Sequence, residues 1–317
     1  MIAFLARRLG QALLVLLVMS FVVYGLIGLM PGDPVDLMIA ADPKMTSEDA
    51  DRLRALHGLD RPILERYGHW LGAALQGDFG YSRLHARPVP EALAPALLNT
   101  LSLLGSAFLL ALAVALPAGV VAAARPRSAT DYIVNLLAFA GLSLPVFWVG
   151  LLFILLFAVL LGWLPASAAG AGSAEDAWDK ARHLILPVVT LAVASAGGYA
   201  RYVRGALIEV LRQDYIRTAR AKGAGPLRVL LRHGLRNALI PVVTVVALDL
   251  GTLVSGALVT ETLFAHPGMG KLIFDAVMGN DFNLALVGLL LATALTLAGN
   301  LLADLAYAWL DPRITRR

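Results

Sequence analysis

The chain has 317 residues, of which 59% are hydrophobic and 15% charged, with a mean hydropathy of +0.75. A water-soluble domain carries about 25% charged residues, so polar groups are too few to cover this folded surface and lipid must cover part of it. There is no cysteine, which excludes a disulfide framework, thiolate chemistry and a Cys-based metal site.

At the N-terminus, Arg7 and Arg8 precede an apolar run from Leu9 to Leu29. A cleavable signal has an apolar core of roughly 7–15 residues and a small-residue cleavage site. This run is longer and ends in Leu29-Met30-Pro31-Gly32-Asp33, so it is expected to be a retained membrane helix. The segment Pro31–Ala96 follows. Thr46 with Asp49 three residues on reads as a capped helix start, and Gly58 as its stop. A second helix is expected after Asp60, with Pro62 in its first turn. Its apolar positions Ile63, Tyr67, Trp70, Leu71, Ala74 and Leu75 share one face, which either packs on protein or rests at a membrane interface.

Crossing a hydrocarbon core of ~30 Å takes about 20 helical residues. Six stretches meet that length: Leu9–Leu29, Leu97–Ala124, Tyr132–Leu161, Leu184–Tyr202, Ala238–Val259 and Leu284–Ala308. The fold class is therefore all-α integral membrane. Pro145 is expected to kink or tilt the third span; Pro117, Pro187 and Pro241 sit in or near others. With the N-terminus placed inside, the inner segments 1–8, 125–131, 201–236 and 311–317 hold 16 Lys and Arg residues. The outer segments 162–183 and 260–283 hold 3. The outer segment 31–96 is too long for the positive-inside rule to count. Both termini are thus expected on the cytoplasmic side. The basic excess lies where a membrane protein needs it, which argues against a nucleic-acid partner.

The inner segment Arg201–Arg236 carries nine Lys or Arg residues in a regular pattern. Asp214 can cap a short helix over Tyr215, Ile216, Arg217, Thr218, Ala219, Arg220, Ala221 and Lys222, which Gly223 can close. Gly225-Pro226 marks a turn before another helical stretch to Arg236. A short helix held between two spans can act as a stiff lever for a cytoplasmic partner. Equally, it can be a basic amphipathic helix lying on anionic lipid.

Two acids fall within spans. Asp249 is eleven residues past Ala238, about 16 Å of helical rise, and so near mid-membrane; it either lines a pathway or makes an interhelical hydrogen bond. Asp304 reads as a structural partner of inner-face Arg or of Asn300. Trp148 and Trp163 fit interfacial anchors better than a stacking site. Gly197-Gly198, Gly251 and Gly256 permit close helix approach. His266-Pro267-Gly268-Met269-Gly270-Lys271 falls short of a Walker A loop, since Ala265 and Leu272 fill its first and last places. The six histidines are scattered, so neither a metal site nor a Ser-His-Asp set is expected, and the chain is not read as an enzyme.

Asp214–Gly223, followed by Arg232-His233-Gly234-Leu235-Arg236-Asn237-Ala238-Leu239-Ile240-Pro241, resembles the cytoplasmic "EAA" loop of ABC importer permeases, in particular their dipeptide/oligopeptide/nickel branch. The likeness continues through Met30-Pro31-Gly32-Asp33-Pro34, Gly77-Asp78-Phe79-Gly80, Leu144-Pro145-Val146-Phe147-Trp148 and His183-Leu184-Ile185-Leu186-Pro187. Glu261-Thr262-Leu263-Phe264, Pro267-Gly268-Met269-Gly270 and Asp311-Pro312-Arg313 complete it. Arg217 stands where many such families have Glu and Thr218 where they have Ala, as is usual in the peptide branch. The resemblance implies a type I importer fold of six helices and residues 214–223 as the coupling helix. It implies residues 1–96 as first helix plus extracytoplasmic segment, 97–311 as the permease domain with its coupling loop 201–236, and 312–317 as a cytoplasmic tail.

The partners implied are a second permease chain, expected to differ from this one, two ATPases carrying ATP and Mg, an external solute-binding protein and membrane lipid. No cofactor is expected on this chain. The solute implied is a short peptide or a related small solute such as a nickel complex, and the location a bacterial inner membrane. The alternatives are a proton-coupled secondary transporter using Asp249 and Asp304 as relays, and a structural subunit of a larger complex.

Overall fold

The computed structural model describes residues 2–29, 60–172 and 176–310, with isolated positions between 46 and 55; side chains at 2–5, 171–172, 244, 247–256 and 306–310 lie outside the described set. The Met30–Pro34 and Asp311–Arg313 motifs, Gly58 and the tail at 312–317 also fall outside it. The helix start at Thr46 is within it. The Thr46 hydroxyl donates to Asp49 Oδ2 at 2.7 Å, and the Asp49 amide donates back to Thr46 Oγ1 at 3.3 Å. Donation from the Thr46 hydroxyl, joined by the Thr46 amide at 3.1 Å to the same oxygen, favours the charged carboxylate and holds it below its ordinary range.

Among the described residues the elements are helices, apart from one hairpin. They are α1 (Ile2–Gly28), α2 (Ile63–Leu75), strands β1 (Tyr81–Ser82) and β2 (Arg87–Pro88), α3 (Val89–Ala124), α4 (Ala129–Ser143), α5 (Val146–Phe153), α6 (Ala177–Leu211), α7 (Asp214–Ala221), α8 (Arg236–Leu263), α9 (Met269–Met278) and α10 (Phe282–Leu310). Two stretches, Ile154–Leu160 after α5 and Val229–Leu235 before α8, are wound as π-helix.

Among the described residues four helices are long and apolar enough to cross a membrane: Ala6–Gly28, Val89–Ala124, Ala177–Leu211 and Phe282–Leu305. The expected third span is not one kinked helix. It is a pair, Ala129–Ser143 and Val146–Leu160, bent by 103° and counting as a fifth crossing if the pair is one span. At the break Pro145 keeps Leu144 out of the helical region, at φ −88° and ψ 132°, and serves as the N-cap of α5. The six expected spans are thus not reached within the described set. The remaining candidate is α8, 28 residues long, whose middle side chains lie outside it.

The chain divides into two compact units. The first joins Met1–Leu98 to Gly268–Leu297. There the apolar face of α2 proves partly a packing face: Tyr67 and Trp70 lie 5.6 and 5.9 Å from Tyr24 of α1 between ring centroids. Tyr67 also shares a 2.7 Å hydrogen bond with Ser20. Leu64 and Leu75 of the same helix stay exposed. The hairpin is pinned by Asp281, buried just ahead of α10, whose Oδ2 accepts from the Ser82 hydroxyl at 2.6 Å and the Leu84 amide at 2.9 Å.

The second unit joins Asn99–Pro267 to Ala298–Arg317. Its core is small-residue packing of α3, α6 and α8: Ala111 and Ala115, Ala192, Tyr199, Ala200 and Val203, then Val242 and Val246. Glycines bring backbones together. A Cβ on Gly119 would stand 2.7 Å from the Ala200 carbonyl oxygen, and one on Gly197 2.6 Å from that of Ala138. Gly198 has only ordinary contact with Leu142, while nothing is described around Gly251 and Gly256.

Candidate functional site

The stretch after α6 folds as the sequence pattern suggests, with one difference. The N-cap of α7 is Gln213, without a side-chain bond, and Asp214 lies inside the first turn. There its carboxylate still opposes the positive end of the helix dipole. It accepts from Arg217 Nη1 at 3.3 Å, but both side chains are largely solvated, so the pair adds little. The Thr218 hydroxyl donates to the Asp214 carbonyl at 3.1 Å.

The other end is closed by a Schellman motif. The Gly223 amide donates to the Arg220 carbonyl at 2.9 Å and the Ala224 amide to the Ala219 carbonyl at 3.1 Å. The motif needs a left-handed residue, and Gly223 supplies it at φ +80°. Eight residues of helix with such ends would be marginal in isolation. Tertiary anchors hold this one.

Ile216 is fully buried, and Tyr215 OH accepts from Asn237 Nδ2, in the first turn of α8, at 3.2 Å. The π-helical arm Val229–Leu235 in turn lies on the end of α6. A Cβ on Gly234 would meet Leu207 at 3.0 Å and Leu211 at 3.2 Å. Leu207 itself is buried with Ala123 of α3 and Ala238 of α8. The lever alternative therefore has a physical basis: α7 packs on the π-helical arm, which itself rests on α6, and is tied to α8 through Tyr215 and Asn237. Its outer face remains open, with Asp214, Arg217, Thr218, Arg220, Ala221 and Lys222 exposed and Ala219 half-buried. Exposed Tyr215, Leu227 and Leu231 add apolar surface to the same segment.

Of the other candidates, Asp249 lies in α8 with its side chain outside the described residues, and half-buried Asp304 lies in α10. Trp163 is exposed, as an interfacial anchor would be, and Trp148 less so. Among the described residues no group of three His, Cys, Asp or Glu could hold a metal.

Two buried polar clusters escaped the sequence reading. In one, Thr100 Oγ1 of α3 donates to Glu261 Oε1 of α8 at 2.5 Å, beside His266, whose Nε2 is 3.2 Å from the Asn99 carbonyl. In the other, Asp131 of α4 accepts from Arg204 of α6 through both oxygens, at 2.5 and 2.8 Å. A signal for the second existed. Arg204 follows Ala200 by four residues and adjoins Val203, both buried, so a charge falls beside the packing stripe of α6.

Comparison with known proteins settles what kind of scaffold this is. Residues 115–316 match the family described as binding-protein-dependent transport system inner membrane component, and residues 1–103 match the N-terminal region of such components. The chain belongs to that family. The permease is 40% identical over 316 residues to the oligopeptide transport system permease protein AppB of Bacillus subtilis, covering 99% of each chain. It is 40% identical over 336 residues to the di/tripeptide transport system permease protein DppB of Pseudomonas aeruginosa, covering 99% of each. With the dipeptide transport system permease protein DppB of Escherichia coli K12 it shares 35% over 339 residues, the whole of both. It is thus the membrane component of a binding-protein-dependent ABC importer, which removes the secondary-transporter and structural-subunit alternatives. The family component is not itself the hydrolytic subunit.

Proposed function

We propose that the permease forms half of the translocation pathway for short peptides, and that α7 is the coupling helix through which ATPase closure is passed to the bundle. The peptide assignment is supported by the names of the three relatives given above, permeases of oligopeptide, di/tripeptide and dipeptide systems. The coupling role rests chiefly on one observation: an eight-residue helix anchored by fully buried Ile216, by the adjoining π-helical arm and by the Tyr215–Asn237 bond to α8, whose opposite face is open and basic. A helix merely lying on lipid has no need of that grip.

In this reading six helices cross an inner membrane in the type I arrangement, with both termini cytoplasmic. A second, different permease chain supplies the other half of the path, two ATPases bind ATP and Mg beneath it, and an external binding protein delivers the peptide. Closure of the ATPases shifts α7 and rocks the bundle between outward- and inward-open states. Asp249 is assigned to this pathway on the sequence argument alone. The EAA-type segment docks without an acid at position 217, using Arg217 and Arg220 around the apolar Tyr215.

The test is uptake of radiolabelled trialanine by proteoliposomes holding the complete complex and its binding protein. Uptake is expected only with ATP, and to fall at least tenfold when Tyr215 and Arg217 are replaced by Asp, a like loss in coupling of about 1.4 kcal/mol. Uptake that survives removal of the ATPases would sink the reading. So would wild-type docking strength in the doubly substituted complex.

A further inference from the structure

The Asp131–Arg204 pair is placed where a rigid joint would be most useful. Asp131 is 3% exposed at the start of α4 and carries a full set of donors. Besides both arms of the Arg204 guanidinium, it takes the Arg127 amide at 2.8 Å and Asn135 Nδ2 at 2.7 Å. A two-point, planar bond between guanidinium and carboxylate fixes angle as well as distance. Arg204 is half-buried and Asp131 buried, so removing the guanidinium leaves the Asp131 carboxylate without its counter-charge.

Further along the same two helices there is no room to slide. Gly197 of α6 presses on the Ala138 backbone, and Gly141 of α4 lies 3.0 Å, measured from a Cβ, from the Val193 carbonyl oxygen. The Arg201 guanidinium sits over the Phe139 ring at 4.3 Å. On another side of α6, Gly119 of α3 presses on Ala200 and Val203. Arg204 is then seven residues, about 10 Å of rise, from the end of α6 at Leu211, where α7 begins after a two-residue turn.

We propose that the Asp131–Arg204 pair locks α4 to α6, and with the Gly119 contact of α3 makes one rigid block that carries α7 at its end, so that Asp131 and Arg204 are positioning residues for energy coupling. The inference rests on the coupling role given to α7 above. A push on α7 moves a welded block and is not dissipated by α6 sliding past α4. Neither residue need touch solute or nucleotide.

The absence of cysteine in the chain allows a direct test. Nitroxide labels on Leu136→Cys of α4 and Tyr202→Cys of α6, both exposed positions, report their separation in the complete reconstituted complex. The distance is expected to be the same, within about 2 Å, without nucleotide and with ATP trapped by vanadate. Arg204→Lys, which keeps the charge but loses the planar two-point bond, is expected to broaden it. The same variant and Asp131→Asn should lower trialanine imported per ATP hydrolysed roughly five- to tenfold, with hydrolysis continuing. Exchanging the charges, Asp131→Arg with Arg204→Asp, should recover most of that ratio.

A merely structural role would lower the yield of assembled complex and leave the ratio unchanged. That outcome overturns the proposal, as does a wild-type separation that changes between nucleotide states. Should the wild type import trialanine without ATP, it is the coupling reading that fails; the label distances still decide whether the block is rigid.

Discussion

Gly197 shows how much this architecture depends on single side chains being absent. Its missing Cβ is replaced by the Ala138 carbonyl oxygen of the neighbouring helix, whereas a Cβ on Gly205, eight residues along the same helix, would meet nothing within 4 Å. Gly197→Val is therefore expected to destabilise the permease by about 1–3 kcal/mol through overpacking. Gly205→Ala should be neutral or stabilising by up to about 1 kcal/mol, as helix propensity alone dictates. Thermal unfolding of the two variants in detergent checks both signs; a Gly197→Val midpoint at or above wild type would contradict the close approach of α4 and α6. The sequence pattern made Gly197 visible as a small-residue position, but it could not name the facing helix. For the same reason the pattern around Arg204 marks a charge beside the packing stripe of α6 without naming its partner Asp131, 73 positions away. Pairing of that kind is a property of the packed helices, and no local spacing encodes it.

At the scale of the element, the closing end of α7 is legible locally and its start only in part, since Gln213 and not Asp214 takes the N-cap. The ends of α7 follow from Asp214 and Gly223, because a dipole-opposing acid and a left-handed closing residue are local requirements. The bend between α4 and α5 exceeds what the sequence predicts, since a proline within a span can merely kink it, and the difference between a kink and a 103° break depends on what holds the two arms. Both arms are held here: Gly141 against Val193, and Gly150 against Leu263, which a Cβ would approach to 2.5 Å. Labels at exposed Ile133 and Leu156 should thus stay about 20 Å apart after Pro145→Ala. A helix straightened through the break would place them about 35 Å apart, and that longer distance would show that the proline alone imposes the bend.

For the whole molecule, sidedness is the open quantity, and the distribution of Lys and Arg fixes the expectation. In intact cells, Arg220→Cys should be shielded from a membrane-impermeant maleimide added outside, and Trp178→Cys should react; permeabilised cells should label both. The reverse pattern would invert the assignment of α7 to the cytoplasmic side. The length of α6 then has a mechanical consequence. Its 35 residues make a rod of about 52 Å, against a hydrocarbon thickness of about 30 Å, so it overhangs the slab that supports it. Like an oar in a rowlock, it trades angle for travel. If it pivots at its middle, a stroke of about 4 to 5 Å at the blade turns the shaft by only about 10°, with the motion vanishing at the fulcrum and reversing beyond it.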